Sequence, residues 1–286
     1  MINFNGDIQS TISESVLTVQ RAAYYGDGLF ESIRSFDGRM PFWSQHWARL
    51  MKGVQALELE WPELWTSSFM ENEVLRAGIV NSRIRLMVWR TTGGLYRPEN
   101  NSVQYLITVQ PLLKNRFEWS ETGIEACFCH SIQMPIDELS GIKALGGVRY
   151  VKAAKECAQK GFQDGFLTNS ANRICEASSS NICWVKDGQL FYPPLGEGQV
   201  IGTLQAGLLS VISSAGWIAN ARFCTKDSLL SADEIILTNA IQGIRWVKSL
   251  ERVSFDNRIS RQLFALFTEH LDQKLNGMVI SNRYSE

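Results

Sequence analysis

The chain has almost no net charge. Its 28 Lys and Arg stand against 29 Asp and Glu, a formal balance of −1. Proteins that bind nucleic acid usually carry a basic excess that neutralises phosphates, so no nucleic-acid partner is expected. No segment approaches the ~20 apolar residues of a membrane span, so no membrane partner is expected either. The opening stretch MINFNGDIQST lacks the basic and apolar segments of a secretory signal. Histidine is scarce. His46, His130 and His270 lie far apart without ligand spacing, and no metal site is expected. Six cysteines are present, Cys127, Cys129, Cys157, Cys175, Cys183 and Cys224, but no C-x-x-C pair. They read as reduced, mostly buried thiols of a cytoplasmic protein. Cys127 and Cys129 alternate within the strand-like GIEACFCHSI and so can face one core. Internal repeats and low-complexity tracts are also absent.

What is present is ordinary for a globular chain: 45% apolar and 20% charged residues over 286 positions, enough for one large or two modest domains without disulfides or metals. FESIRSF and RMPFW around DGR predict a hairpin. SQHWARLMKGVQALEL has helical spacing, with Ser44 as a candidate N-cap, and PELWTSSFMENEVLRAG predicts a helix ending at Gly78. SRIRLMVWRT and VQYLITVQPLL read as strands. The polar KNRFEWSETG predicts a domain boundary, giving an N-terminal domain over 1–116 and a C-terminal domain over 117–286. Beyond it come a strand at IEACFCHSI, a helix from about Val148 to Lys160, and three strands at GFLTNS, RICEASSSNICWV and QLFYPP. A helix at TLQAGLLSVISSAG, strands at DEIILTNA and IRWVKSL, and a closing helix over 259–275 complete the chain. The irregular mixture predicts an α+β fold rather than a Rossmann fold.

Four features could carry chemistry. Lys143 sits in SGIKALGG, among small and apolar residues, where a desolvated amine has a lowered pKa and can attack a carbonyl. Glu176 lies in the otherwise apolar RICEASSSN, where the bland reading is an outward-facing carboxylate. Arg49 would ordinarily be a solvated helix residue. The run LGEGQVIGTLQAG is not a dinucleotide fingerprint, but its loop enters a helix near Thr203, and helix starts present N–H groups to phosphates. Together these are the parts a pyridoxal 5'-phosphate enzyme needs: a Schiff-base lysine, an acidic partner for the ring nitrogen and a phosphate cup.

The blocks YYGDGLFESIRSFDGRMPFWSQHWARL, RLMVWRTTGG, LSGIKALGGVRYVKAAKECAQKGFQDGFLTN, ICEASSSNICWVKDGQLFYPP, VIGTLQAGLL and ADEIILTNAIQGI run through nearly the whole chain. In this order they resemble the class IV aminotransferases, the fold-type IV pyridoxal-phosphate family. That family includes branched-chain and D-amino-acid aminotransferases and 4-amino-4-deoxychorismate lyase. The resemblance implies a two-domain enzyme like D-amino-acid aminotransferase, with the cofactor in a cleft between domains, a small-molecule amino substrate and a homodimer. It implies Lys143 as the Schiff-base lysine, 33 residues before Glu176, the partner of the ring nitrogen. It further implies Arg49 on the phosphate, the amides of Thr203 and Leu204 in the phosphate cup, and Asn239 and Ala240 completing it. Here the chain departs from the aminotransferases, which often have threonine at the place of Ala240.

The substrate pocket points several ways. GDGLFE resembles the lyase and D-amino-acid branches, branched-chain enzymes more often having threonine at the place of Asp27; TNAIQGI resembles the lyase branch, whereas LGG after Lys143 departs from the lyases' LN. Phe30 stands where D-amino-acid enzymes carry a tyrosine for the substrate carboxylate, and their Arg-x-His pair is absent. Val148 stands where branched-chain enzymes carry a cofactor-contacting tyrosine. Arg85 or Arg97 could bind a carboxylate. Transamination between an amino acid and a 2-oxo acid is the first expectation, aminodeoxychorismate lysis to pyruvate and 4-aminobenzoate the second. A silent relative that only binds cofactor or metabolite is the third.

Overall fold

The computed structural model describes residues 2–9, 20–78 and 80–283. The chain divides into two compact units, one of Met1–Arg116, Ile142–Gly146 and Met278–Glu286, the other of Phe117–Gly141 and Gly147–Gly277.

The first unit opens with β1 (Ile2–Phe4) and β2 (Asp7–Gln9). Asn5 and Gly6, both at positive φ (49° and 96°), make the two-residue turn that matches strand twist. Next come α1 (Gln20–Tyr25), β3 (Gly28–Ser35), α2 (Trp43–Ala56), α3 (Ser67–Arg76), β4 (Ser82–Arg90) and β5 (Val103–Pro111). The strands form an antiparallel sheet in the order β2-β1-β5-β4-β3. Ile84, Leu86 and Val88 of β4 alternate into the core with Leu29, Leu50, Val54, Met70 and Val74. Period-two geometry turns Arg83, Arg85 and Met87 to the other face, where the register sets Phe30 opposite Met87 and Ser32 opposite Arg85.

Two local expectations are corrected here. The DGR turn forms at Asp37 and Gly38, and Phe36 bridges Arg39, but RMPFW does not return as a strand. The 3.6-residue spacing of Trp43, Trp47, Leu50 and Val54 prevails over that short alternation, and α2 starts at Trp43. Ser44 is therefore already inside the helix; its N-cap is Phe42, without a side-chain cap, and the Ser44 hydroxyl donates to Gln45. By contrast α3 is capped by Thr66, which accepts from the Phe69 N–H, and ends before Gly78 at φ 75°.

The second unit contains β6 (Ile124–Phe128), α4 (Val148–Gln159), β7 (Asp164–Thr168), β8 (Ile174–Ala177), β9 (Asn181–Lys186), β10 (Gln189–Tyr192) and α5 (Thr203–Ser214). After these come β11 (Ala219–Ala221), α6 (Lys226–Leu230), β12 (Glu234–Asn239), β13 (Gly243–Leu250), β14 (Val253–Ser254) and α7 (Arg258–Arg283), which is longer than the helix expected over 259–275. The sheet runs β11-β10-β9-β12-β13-β6-β7-β8, with β14 on β13. Parallel pairs (β10 with β11, β13 with β6, β6 with β7) mix with antiparallel ones, which makes the fold α+β with mixed sheets.

RICEASSSNICWV is not one strand. The Ala177 N–H donates to the Ser180 carbonyl, and the chain turns from β8, paired with β7, to β9, paired with β10 and β12. The turn is held from below. Buried Asp164 accepts from the hydroxyls of Ser178 (2.6 Å) and Ser179 (2.9 Å). All six cysteines are free and buried, and the sulfurs of Cys127 and Cys129 lie 3.6 and 3.4 Å from that of Cys157. Among the described residues no helix is long and apolar enough to cross a membrane, and no group of His, Cys, Asp and Glu is arranged to hold a metal ion.

Candidate active site

Lys143 belongs to the short segment Ile142–Gly146 that packs with the first unit. The segment lies along β3 like an added strand. The Phe30 N–H donates to the Lys143 carbonyl (2.9 Å) and the Leu145 N–H to the Gly28 carbonyl (2.8 Å), while Ile142 enters the core. Lys143 is therefore fixed at its backbone although it lies in no helix or regular strand. Its Nζ sits 4.5 Å from the centroid of the Phe30 ring, and the Arg85 guanidinium carbon sits 4.7 Å from the same centroid, both as cations over an aromatic ring. Burial lowers the pKa of Arg85, and the Arg83 charge adds to it. An anion beside Arg85 would relieve both effects. Phe30, Arg85 and Lys143 thus come together. Arg97 does not join them; it is exposed, in the turn where Gly94 bridges Pro98.

Arg49 is not a solvated helix residue. Buried on α2, it grips Glu31 of β3 with two nitrogens, Nε to Oε1 at 2.7 Å and a terminal nitrogen to Oε2. His46, one turn earlier, places Nδ1 2.6 Å from Glu31 Oε2. Burial opposes the charge on Glu31, yet the Arg49 guanidinium and His46 outweigh it and hold the carboxyl down at about 2. Burial pushes the His46 imidazole below its usual range, with Glu31 opposing. Sequence reasoning passed over Glu31 and His46. The signal was there in H-x-x-R, which puts both side chains on one helix face, and in a glutamate on an apolar strand.

Asp27 has structural work of its own. It accepts from Arg21 Nε at 2.8 Å and Arg90 Nε at 3.0 Å. Arg21 in turn donates to the carbonyls of Gly93 (2.9 Å) and Leu95 (2.7 Å), so this aspartate anchors the glycine loop after β4.

In the second unit Glu176 is buried on β8, opposite Leu167. Tyr150 of α4 donates its phenol to Oε1 at 2.6 Å, and the Val200 N–H donates to Oε2 at 3.2 Å. Burial, then the neighbouring Glu176 charge, push the Tyr150 phenol far above its usual range, so it stays a donor. Thr203 and Leu204 form the buried first turn of α5. Its N-cap, Gly202, supplies no side-chain cap, and first-turn N–H groups have no partner within a helix. Gly202 is needed for close approach: a Cβ there would lie 1.9 Å from Asn181 Oδ1, and Asn181 donates to the Val200 carbonyl at 2.7 Å. Asn239 ends β12. Its Oδ1 accepts from the N–H groups of Ile241 (2.8 Å) and Gln242 (3.2 Å), and its amide donates to the Ser179 carbonyl. Ala240 is the next residue in that turn. Arg245 reinforces the arrangement through Asp164 (3.0 Å) and Ser180 (2.9 Å). The sequence did not single out Tyr150, Asn181, Asp164 or Arg245, because each acts through a partner distant in the chain.

Residues 28–250 match the family model described as amino-transferase class IV. An aminodeoxychorismate lyase of Vibrio harveyi is 25% identical over 264 residues, covering 90% of this chain and 94% of the relative. A branched-chain-amino-acid aminotransferase of Escherichia coli strain K12 is 23% identical over 291 residues, covering 95% and 94%. Among solved structures, a 4-amino-4-deoxychorismate lyase from Pseudomonas aeruginosa superposes with a TM-score of 0.83 at 26% identity, covering 95% of this chain and all (100%) of the other.

Proposed function

The chain belongs to the class IV aminotransferase family, and from that premise we propose that it is a pyridoxal-phosphate enzyme transferring an amino group between an amino acid and a 2-oxo acid. The observation that carries this reading is the Phe30 ring with the Lys143 amine and the half-buried Arg85 guanidinium both upon it. It sets an amine and a carboxylate-binding cation side by side, as an amino-acid substrate requires.

The residues present fit the cofactor by their chemistry. Lys143 offers the amine that attaches it, and Glu176, already given hydrogen bonds by Tyr150 and Val200, offers its carboxylate to the ring nitrogen. The start of α5 at Thr203 and Leu204, Arg49, and the turn at Asn239 and Ala240 offer donors to the phosphate. When bound, pyridoxal phosphate supplies an electron sink for charge developing at the substrate's amine-bearing carbon. Lys143 Nζ would take the proton from that carbon as a base and give it up as an acid at a different carbon, the one that receives the amino group. Arg85 holds the substrate carboxylate, and Phe30 walls the space beside it. We further propose a homodimer, which sedimentation at micromolar concentration tests.

A second reading, aminodeoxychorismate lysis, is favoured by the lyase relatives at 25% and 26% identity. Asp27, which in the sequence speaks for the lyase or D-amino-acid branch, has a sufficient structural reason in its two arginine partners. One experiment separates the readings. Cofactor-loaded protein is given a panel of amino donors without an acceptor. Transamination should convert the cofactor spectrum to its pyridoxamine form with release of a 2-oxo acid. No conversion with any L- or D-donor, together with catalytic pyruvate release from aminodeoxychorismate, would establish the lyase instead.

A further inference from the structure

The α4 helix follows directly on the Lys143 segment, with Gly147 as its N-cap. Tyr150, Ala153 and Cys157 share one face of it by their spacing, and Ala153 and Cys157 are fully buried. Val148 and Val151 point away, 72% and 60% exposed. Val148 stands where branched-chain enzymes carry a cofactor-contacting tyrosine and is turned outward here. The tyrosine two residues on reaches a different target, the carboxylate of Glu176.

We propose that Tyr150 is a positioning residue for Glu176: its phenol fixes the orientation of that carboxylate and keeps it ionised, and so determines that the proton shared with the cofactor ring nitrogen resides on the ring. The inference rests on the reading of Glu176 as the ring partner. A carboxylate as buried as this one, 4% exposed, would by itself favour the protonated form. A phenol donates to one of its oxygens at 2.6 Å and a backbone N–H to the other at 3.2 Å. Hydrogen bonds to an ionised group are among the stronger ones, and two on opposite oxygens prevent the group from turning. They also make the carboxylate a weaker base. A proton between it and a pyridine nitrogen then lies nearer the nitrogen, and a protonated ring is the better electron sink. Tyr150 itself need not touch cofactor or substrate.

Tyr150→Phe keeps the ring and removes the donor. The test uses holoenzyme loaded with cofactor labelled with nitrogen-15 in the ring, with nuclear magnetic resonance as the readout. Wild type should give the signal of a protonated ring, and Tyr150→Phe should move it toward neutral pyridine. Turnover should fall roughly tenfold to a hundredfold, the range of one hydrogen bond to a charged group. In a Glu176→Gln background the tyrosine change should add little to either readout, since both act through one group. A merely structural role would lower the melting temperature and leave the ring signal unmoved, and that result overturns the inference while sparing Glu176. A neutral ring in wild type, or a signal indifferent to Glu176→Gln, would overturn the Glu176 reading and this inference with it.

Discussion

At the scale of single residues, the candidate site depends on buried charges whose partners are already in place. The proposed function gives the covalent chemistry to Lys143. Borohydride reduction of the loaded protein should attach cofactor to Lys143 alone, and peptide mapping that finds the adduct on another lysine would refute its role. The charge of Arg49 is balanced by Glu31. Glu31→Gln would leave a buried guanidinium without its counter-charge, which should destabilise the fold by about 3–5 kcal/mol in denaturant titrations. The same pair sets an acid limit. The Glu31 carboxyl ionises at about 2 in the fold against an ordinary 4.5. Its contribution is therefore complete above about 4.5 and is lost as pH falls toward 2. The separation corresponds to about 3 kcal/mol. Wild type should accordingly lose its stability advantage over Glu31→Gln across that window, and a constant gap would mean that Glu31 does not titrate there.

At the scale of elements, most of the pattern was legible because it is local. Helical spacing located α2, α4 and α5, and alternation located β4 and β5. Where two local patterns competed, the longer one prevailed, as when α2 absorbed the return arm of the DGR hairpin. The serine turn between β8 and β9 was missed because its cause, Asp164, lies 14 residues before Ser178 on another strand. The start of α5 is the element on which phosphate binding would depend most. Gly202 has an ordinary φ of −75°, so alanine is excluded there by Asn181, not by backbone strain. Gly202→Ala should displace Asn181 and the loop into α5, at a cost of about 1–3 kcal/mol for forced repacking. Cofactor affinity should weaken roughly tenfold or more. An unchanged cofactor dissociation constant would remove α5 from the phosphate site.

For the whole molecule, two compact units each enclose a core, and the six thiols lie in the second. Burial pushes Cys183 up to about 11 and Cys127 to about 12, with Cys157 adding to the latter. Cys129, Cys175 and Cys224 are also raised, by burial first. Thiols that stay protonated and enclosed react slowly. Native protein should resist a thiol-reactive dye and titrate six equivalents only after unfolding, and its melting temperature should be indifferent to reductant. Rapid labelling of the native state, or a melting temperature that drops with reductant, would contradict free, enclosed thiols.

The sequence by itself determined most of the longer helices and strands and their order, the α+β class and family membership, since each is written in short-range periodicity or in motifs of contiguous residues. It also singled out Lys143, because a lysine among glycines and apolar residues is chemically out of place. Only the tertiary structure decided that the Lys143 segment lies along β3 and brings its amine to Phe30 beside Arg85. It likewise decided that Arg49 closes on Glu31, 18 residues away, and that Tyr150 reaches Glu176 across 26. These pairings depend on strand register and on which helix face turns inward. No short stretch of chain encodes either, because both follow from how the whole chain buries its apolar surface.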